Sequence, residues 1–153
     1  MISHKHLRVL CHLRKDARMP LTKMSRKTGI PVSTLFERIR TYQDEFIIKH
    51  TSIIDFQSLG YAACANIMVK VDKEQRKELG NFLSKQENIN TLYKVNNGYD
   101  FLFESVFTTL KETEDFIEKL EERFNIAQKQ VFYITENLKK EGFMEDEIFY
   151  AGN

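Results

Sequence analysis

The stretch LTKMSRKTGIPVSTLFERIRTYQDEF, residues 21–46, predicts two helices joined by a short turn. Leu21 and Met24 lie one helical turn apart, and Gly29 ends that first helix because glycine tolerates the backbone of a helix terminus. Pro31 then suits the opening turn of the next helix. That helix has the clearest apolar pattern, with steps of three and four residues between Val32, Leu35, Ile39, Tyr42 and Phe46.

A further short helix is predicted upstream, where Leu7, Leu10 and Cys11 recur at helical spacing before a break over residues 16–20. Three short helices with a break near Gly29 favour a helix-turn-helix, whose last helix enters the major groove of DNA. The alternative is a small helical bundle with a solvated basic face.

The charge distribution favours the first interpretation. The whole chain of 153 residues has a net charge of only +1, which by itself argues against a nucleic-acid partner. Residues 1–55, however, hold 11 Lys and Arg against 5 acidic residues, whereas residues 56–153 hold 12 against 17. The first part is therefore basic, as contact with phosphates requires, and the second is acidic. No run reaches the roughly 20 apolar residues of a membrane helix, and we expect a cytoplasmic protein.

Beyond Phe46 the period changes. Residues 47–54 are rich in β-branched residues and predict an extended linker strand, closed by Leu59 and Gly60. Strands are then predicted at residues 61–71, 89–95, 100–107 and 130–138, with one helix after the first strand and another after the third.

Short-range signals mark the turns and helix starts of this second part. Asn97-Gly98 is typical of a hairpin turn, because both residues tolerate positive φ. Asp72 with Gln75, and Thr109 with Glu112, have the spacing of a capping box at a helix start. Phe116, Ile117, Leu120 and Phe124 are predicted to line the second helix of this part.

The order βαββαβ predicts both helices on one face of a four-stranded antiparallel sheet. The fold class is therefore α+β: a three-helix domain at residues 1–46, the linker at 47–60 and a ferredoxin-like sheet domain at 61–153. Residues 101–107 and 131–134 are interpreted as apolar on both sides, so the uncovered face needs a partner. A second copy of the same sheet, in a homodimer, would supply it.

The positions that support a family resemblance fall at fixed spacings over the first 48 residues. They are Leu10, Leu13, Asp16, Ala17, Arg18, Leu21, Met24, Ser25, Gly29, Ile30, Thr34, Leu35, Arg38, Ile39, Ile47 and Ile48. With them the chain resembles the Lrp/AsnC (feast/famine) regulators, and its second part resembles their effector-binding RAM domain. The resemblance implies a DNA-binding transcriptional regulator that dimerises through the sheet domain, assembles into tetramers or octamers and responds to an amino acid.

The resemblance also suggests an effector site at the hairpin, formed by Asn97, Gly98, Tyr99 and Asp100. The chain departs from the family pattern at four positions. Pro31 replaces a capping Ser, Phe46 replaces a Gly before the linker, His6 replaces an acidic residue, and Asn97 replaces the hairpin Gly.

Within the predicted recognition helix, Val32, Ser33, Phe36 and Glu37 are the candidates for contact with base edges. Phe36 suits thymine methyl groups, and Glu37 suits a cytosine amino group. The helix start at Pro31 suits a phosphate. The candidates for phosphate contact along the backbone are Lys23, Arg26, Lys27, Thr34, Arg38 and Arg40.

The sequence contains no Gly-rich phosphate loop, no zinc-type cysteine spacing and no nucleophile with an evident base. We therefore expect no catalytic residues, no metal and no cofactor beyond a small effector. Two alternatives remain: an Lrp-like enzyme of the sirohaem decarboxylase type, and an effector-binding module with impaired DNA binding.

Overall fold

The computed structural model describes residues 4–145, which divide into two compact units. The first, here called the head, contains residues up to Ile53 together with those from Leu138 onward; the second, the sheet domain, is Ile54–Asn137. The sequence pattern instead predicts that residues 138–153 belong to the sheet domain. Of these, residues 138–145 group with the head, and residues 146–153 lie outside the described part of the chain.

The head has three helices, α1 His4–Lys15, α2 Leu21–Thr28 and α3 Val32–Glu45. Its core contains Val9, Met24, Ile30, Leu35 and Tyr42. Two of the five residues in the predicted apolar pattern of α3 do not belong to this core, since Val32 is 40% exposed and Phe46 is 44% exposed. Both lie at the ends of α3, and the buried contacts are made by its middle.

The turn between α2 and α3 depends on Gly29, which has a φ of 68° and donates its N–H to the Ser25 carbonyl at 2.8 Å. A residue with a Cβ is strained in this left-handed conformation. Pro31 is the N-cap residue of α3, so it lies one position before the first helical turn in which its sequence position predicts it.

The predicted linker strand at residues 47–54 has no partner strand among the described residues. Residues 47–55 form no helix or strand, and a single 3-10 turn follows at Gln57–Leu59. A β-strand needs a hydrogen-bonded neighbour. None of the four strands in the described chain pairs with this segment.

The sheet domain has the predicted βαββαβ order. Its elements are β1 Ala63–Val71, α4 Arg76–Leu83, β2 Ile89–Lys94, β3 Phe101–Phe107, α5 Leu110–Arg123 and β4 Ile126–Tyr133. The strands are antiparallel in the order β2-β3-β1-β4. The predicted last strand, residues 130–138, was placed too late. Phe124 ends α5 and is buried in the core, so β4 begins two residues after it.

One of the two predicted capping boxes is confirmed. Thr109 accepts a hydrogen bond from the backbone N–H of Glu112, and the Glu112 carboxylate accepts one from the Thr109 N–H. The predicted box at Asp72 and Gln75 is wrong, because both side chains bond to Asn125 instead. A 3-10 turn at Lys73–Gln75 therefore precedes α4.

The sheet has one face covered by α4 and α5, where Ile67, Phe103, Leu79 and Leu120 are fully or almost fully buried. The other face is here called the open face. The strand register places on it Cys64, Asn66, Met68, Lys70, Thr91, Tyr93, Leu102, Glu104, Val106, Gln128, Gln130 and Phe132. It is thus mixed rather than fully apolar, which corrects the expectation from sequence.

Candidate nucleic-acid interface

The N-terminal half of α3 presents an exposed surface that we call the recognition surface, formed by Val32, Ser33, Phe36 and Glu37. The inward packing of Leu35 and Tyr42 fixes the rotation of the helix and so turns these four side chains away from the core. Phe36 is 58% exposed, although it is a large apolar side chain. The four residues predicted to contact base edges are therefore together and accessible.

Exposed cations accompany this surface. Lys23, Arg26 and Lys27 lie on α2 and Arg40 lies on α3, all with exposed side chains. The Arg8 guanidinium donates to the backbone carbonyl of Lys27 at 3.1 Å, which joins α1 to the end of α2. Arg8 thus has a structural contact, while the Lys27 side chain remains exposed.

Arg38, another predicted phosphate contact, lies partly buried beside Tyr42. Its Nη1 atom and the Tyr42 hydroxyl are both buried. Burial raises the pKa of Tyr42 above its usual 10.0, and the positive charge of Arg38 opposes that rise. One guanidinium nitrogen of Arg38 is therefore shielded from solvent, and Thr34 is also only partly exposed.

Two of the departures from the family pattern contact the same ring. The ring centroid of Tyr42 lies 5.7 Å from the ring centroid of His6 and 5.9 Å from that of Phe46. These tilted aromatic contacts join the beginning of α1 to the end of α3. His6 and Phe46 therefore share a structural role within the head.

The start of α3 has no side-chain cap. Pro31 occupies the N-cap position with φ −56° and ψ 144°, and it has no hydroxyl to accept from the first-turn amides. Those amides point out of the helix end, where a phosphate is favoured by both hydrogen bonding and the helix dipole.

Arg14 makes contacts that no pattern in the sequence predicts. Residues 138–145, here called the C-terminal arm, return to the head, where Arg14 Nη2 donates to the Glu141 carbonyl at 2.8 Å and to its carboxylate at 3.0 Å. Arg14 Nε donates to the Phe143 carbonyl at 3.2 Å. The partners are 127 and 129 residues apart, so no local pattern signals the contact.

The predicted effector residues lie on the β2–β3 hairpin. Asn97 and Gly98 have φ values of 62° and 94°, which confirms the predicted turn, and both are exposed. Asp100 makes contacts within the domain, because its carboxylate pairs with Arg76 and accepts from the Val71 N–H. Tyr99 is partly buried.

Within residues 4–145, the His, Cys, Asp and Glu side chains nowhere form a group of three that could hold a metal ion. Cys11 and Cys64 are buried thiols. None of the helices in the described part of the chain is long and apolar enough to cross a membrane.

Comparison with known proteins agrees with this architecture. A family model described as winged helix-turn-helix DNA-binding matches residues 2–49. The HTH-type transcriptional regulator FL11 of Pyrococcus horikoshii is 34% identical over 107 residues, which cover 69% of this chain and 71% of that protein.

Two solved structures show the same fold. Bacillus subtilis LrpC aligns with a TM-score of 0.80 at 21% identity, over 92% of this chain and 99% of its own. The transcriptional regulator NMB0573 of Neisseria meningitidis, in a complex with L-Met, aligns with a TM-score of 0.83 at 15% identity, over 92% and 94%.

A helix-turn-helix head with an exposed recognition surface, joined to a βαββαβ sheet domain, defines a DNA-binding transcriptional regulator. The similarity to FL11, together with the shared fold, narrows this class to one family. The chain belongs to the Lrp/AsnC (feast/famine) family.

Proposed function

We propose that two copies of this chain bind one pseudo-palindromic site in double-stranded DNA, with α3 of each head in the major groove. The observation that carries this proposal is the recognition surface. Val32, Ser33, Phe36 and Glu37 are all exposed on the half of α3 that reaches base edges in helix-turn-helix proteins.

Phosphate contacts would hold this helix in register. We assign them to Lys23, Arg26, Lys27 and Arg40, whose side chains are exposed, and to the amides that follow Pro31. Thr34, at the partly buried edge of α3, is a further candidate. Arg38 acts mainly by supporting Tyr42, since one of its guanidinium nitrogens is buried.

A second copy would cover the open face of the sheet. Phe132 and Tyr93 are exposed there, and Met68 and Leu102 are paired across β1 and β3 between them. Ile48 in the linker is completely exposed, and Ile53 and Ile54 are exposed as well. Such side chains gain free energy from burial in a homodimer interface. Assembly to a tetramer or octamer is a further step that the family resemblance suggests.

An amino acid is the proposed small-molecule effector. NMB0573, which shares the fold, is described as a complex with L-Met. The exposed turn at Asn97 and Gly98, with Tyr99 and Asp100 after it, is the proposed contact. An amino acid that binds there should raise the melting temperature, so a thermal-shift screen of the common amino acids tests this assignment.

FL11 is a transcriptional regulator. This similarity supports regulation, and not catalysis, as the function of this chain. The test is selection of bound duplexes from a random library with the full chain, followed by sequencing. We expect enrichment of one inverted repeat, whereas recovery of unenriched sequence would contradict the proposal. On the selected duplex, the variant Arg40→Ala should bind more weakly than the wild type, because it removes one of the proposed phosphate contacts.

A further inference from the structure

Phe36 is the most exposed aromatic side chain on α3, with 58% of its surface accessible. Val32 lies one turn earlier on the same flank of the helix and is 40% exposed. Neither belongs to the buried core of the head, to which α3 contributes Leu35 and Tyr42. The two side chains therefore form an apolar strip at the start of α3 that the described residues of the head leave largely exposed.

The surroundings of this strip are polar and charged. Ser33, Glu37 and Arg40 lie beside it on α3, and the cations of α2 belong to the same helix-turn-helix. An apolar partner protein would leave these charges without water or partners, at a cost in free energy. A DNA duplex instead offers phosphates to the cations and base edges to the strip.

The major groove presents one prominent apolar group to a side chain, the C5 methyl of thymine. We propose that Phe36, with Val32 beside it, contacts a thymine methyl in each half-site and so makes thymine a requirement at that position. This inference rests on the proposed function and adds the identity of one base to it.

The experiment uses the full chain and the duplex enriched by selection. Each thymine of the half-sites is replaced in turn by deoxyuridine, which removes only the C5 methyl and leaves the hydrogen-bonding groups unchanged. Burial of one methyl corresponds to about a fourfold change in Kd. We expect about this loss at one thymine of each half-site, measured by fluorescence anisotropy at fixed salt.

The variant Phe36→Ala ties the effect to this side chain. This variant should bind the thymine duplex more weakly than the wild type does. Replacement of the thymine by deoxyuridine should then cause no further loss of its affinity, which a double-mutant cycle measures. Phe36→Leu keeps an apolar contact and should retain part of the effect. Phe46→Ala, at the other end of α3, is the control. Its affinity should still fall about fourfold when the thymine is replaced by deoxyuridine.

Three results would overturn the inference: no thymine in the enriched half-sites, no response to deoxyuridine at any thymine, or an undiminished response in Phe36→Ala. Failure of the proposed function looks different, because the wild-type chain would then enrich no duplex at all. Melting temperatures of the Ala and Leu variants close to that of the wild type show that the head is folded.

Discussion

Arg76 and Asp100 form an ion pair that joins the start of α4 to the start of β3, with Arg76 Nε 2.7 Å from Asp100 Oδ1. The other carboxylate oxygen of Asp100 accepts from the backbone N–H of Val71 at 2.9 Å. The Asp100 side chain is 12% exposed, whereas that of Arg76 is 47% exposed. The carboxylate, rather than the guanidinium, is therefore the critical half of the pair.

Replacement of the two partners should have unequal effects on stability. Asp100→Ala leaves the Val71 N–H without its acceptor and should lower the free energy of unfolding by about 1–3 kcal/mol. Arg76→Ala removes a half-exposed ion pair and should cost no more than about 1 kcal/mol. Urea denaturation of both variants measures this, and equal losses would show that the Val71 hydrogen bond contributes little.

The two arginines of α3 should affect different properties. Arg40 is exposed, so Arg40→Ala should weaken DNA binding on all sequences and reduce the slope of log Kd against log salt by about 1. Arg38 is partly buried beside Tyr42, so Arg38→Ala should lower the melting temperature instead. Binding and melting curves of both variants separate the roles. An unchanged salt slope in Arg40→Ala would remove that residue from the phosphate contacts.

The start of α5 should respond to pH. Hydrogen bonds from the side chain and backbone of Thr108, and from the Thr109 N–H, hold the pKa of Glu112 below its usual 4.5. Because the folded-state pKa is lowered, this stabilisation is present above pH 4.5 and is lost as the pH falls through the folded-state pKa.

The matched variant for this effect is Glu112→Gln, which has no titratable group at the same position. Wild type should be the more stable of the two at neutral pH, and the difference should narrow as the pH falls below 4.5. Urea titrations between pH 3 and pH 7 measure the difference, and a constant gap would exclude the carboxylate as its source.

Arg14 should hold the C-terminal arm on the head. Arg14→Ala removes the three hydrogen bonds to Glu141 and Phe143 and should expose the peptide bonds after Lys139 and Lys140 to trypsin. Faster cleavage in that segment, followed by mass spectrometry, is the expected outcome. Arg18→Ala, beyond the end of α1, provides the control, and equal rates in both variants would mean that Arg14 does not hold the arm.

The features that sequence predicted correctly depend on neighbours along the chain. The Asn97-Gly98 turn and the Thr109–Glu112 capping box each need only residues within a few positions of one another. The three helices of the head and the βαββαβ order likewise follow from local periodicity.

The failures have longer-range causes. Asp72 and Gln75 have the same spacing as the confirmed capping box at Thr109. Both of their side chains instead accept hydrogen bonds from Asn125, some 50 residues away. The linker residues have strand-like composition but no partner strand among residues 4–145. The link from Arg14 to the arm spans nearly the whole sequence. Composition and spacing carry no information on such distant partners.

The candidate site shows the same division. Exposure of Val32, Ser33, Phe36 and Glu37 follows from helical geometry once Leu35 and Tyr42 are known to face inward. The partial burial of Arg38 does not follow, because it depends on how closely the aromatic cluster around Tyr42 packs.

A hydroxyl-radical footprint of the full chain on its selected duplex tests the central claim most directly. Two heads that each place α3 in the major groove should protect two patches related by a dyad, with centres about 10 base pairs or a multiple of that apart. Protection should disappear on a scrambled duplex at the same salt concentration. A single protected patch, or equal protection of both duplexes, would contradict sequence-specific binding by two copies of this chain.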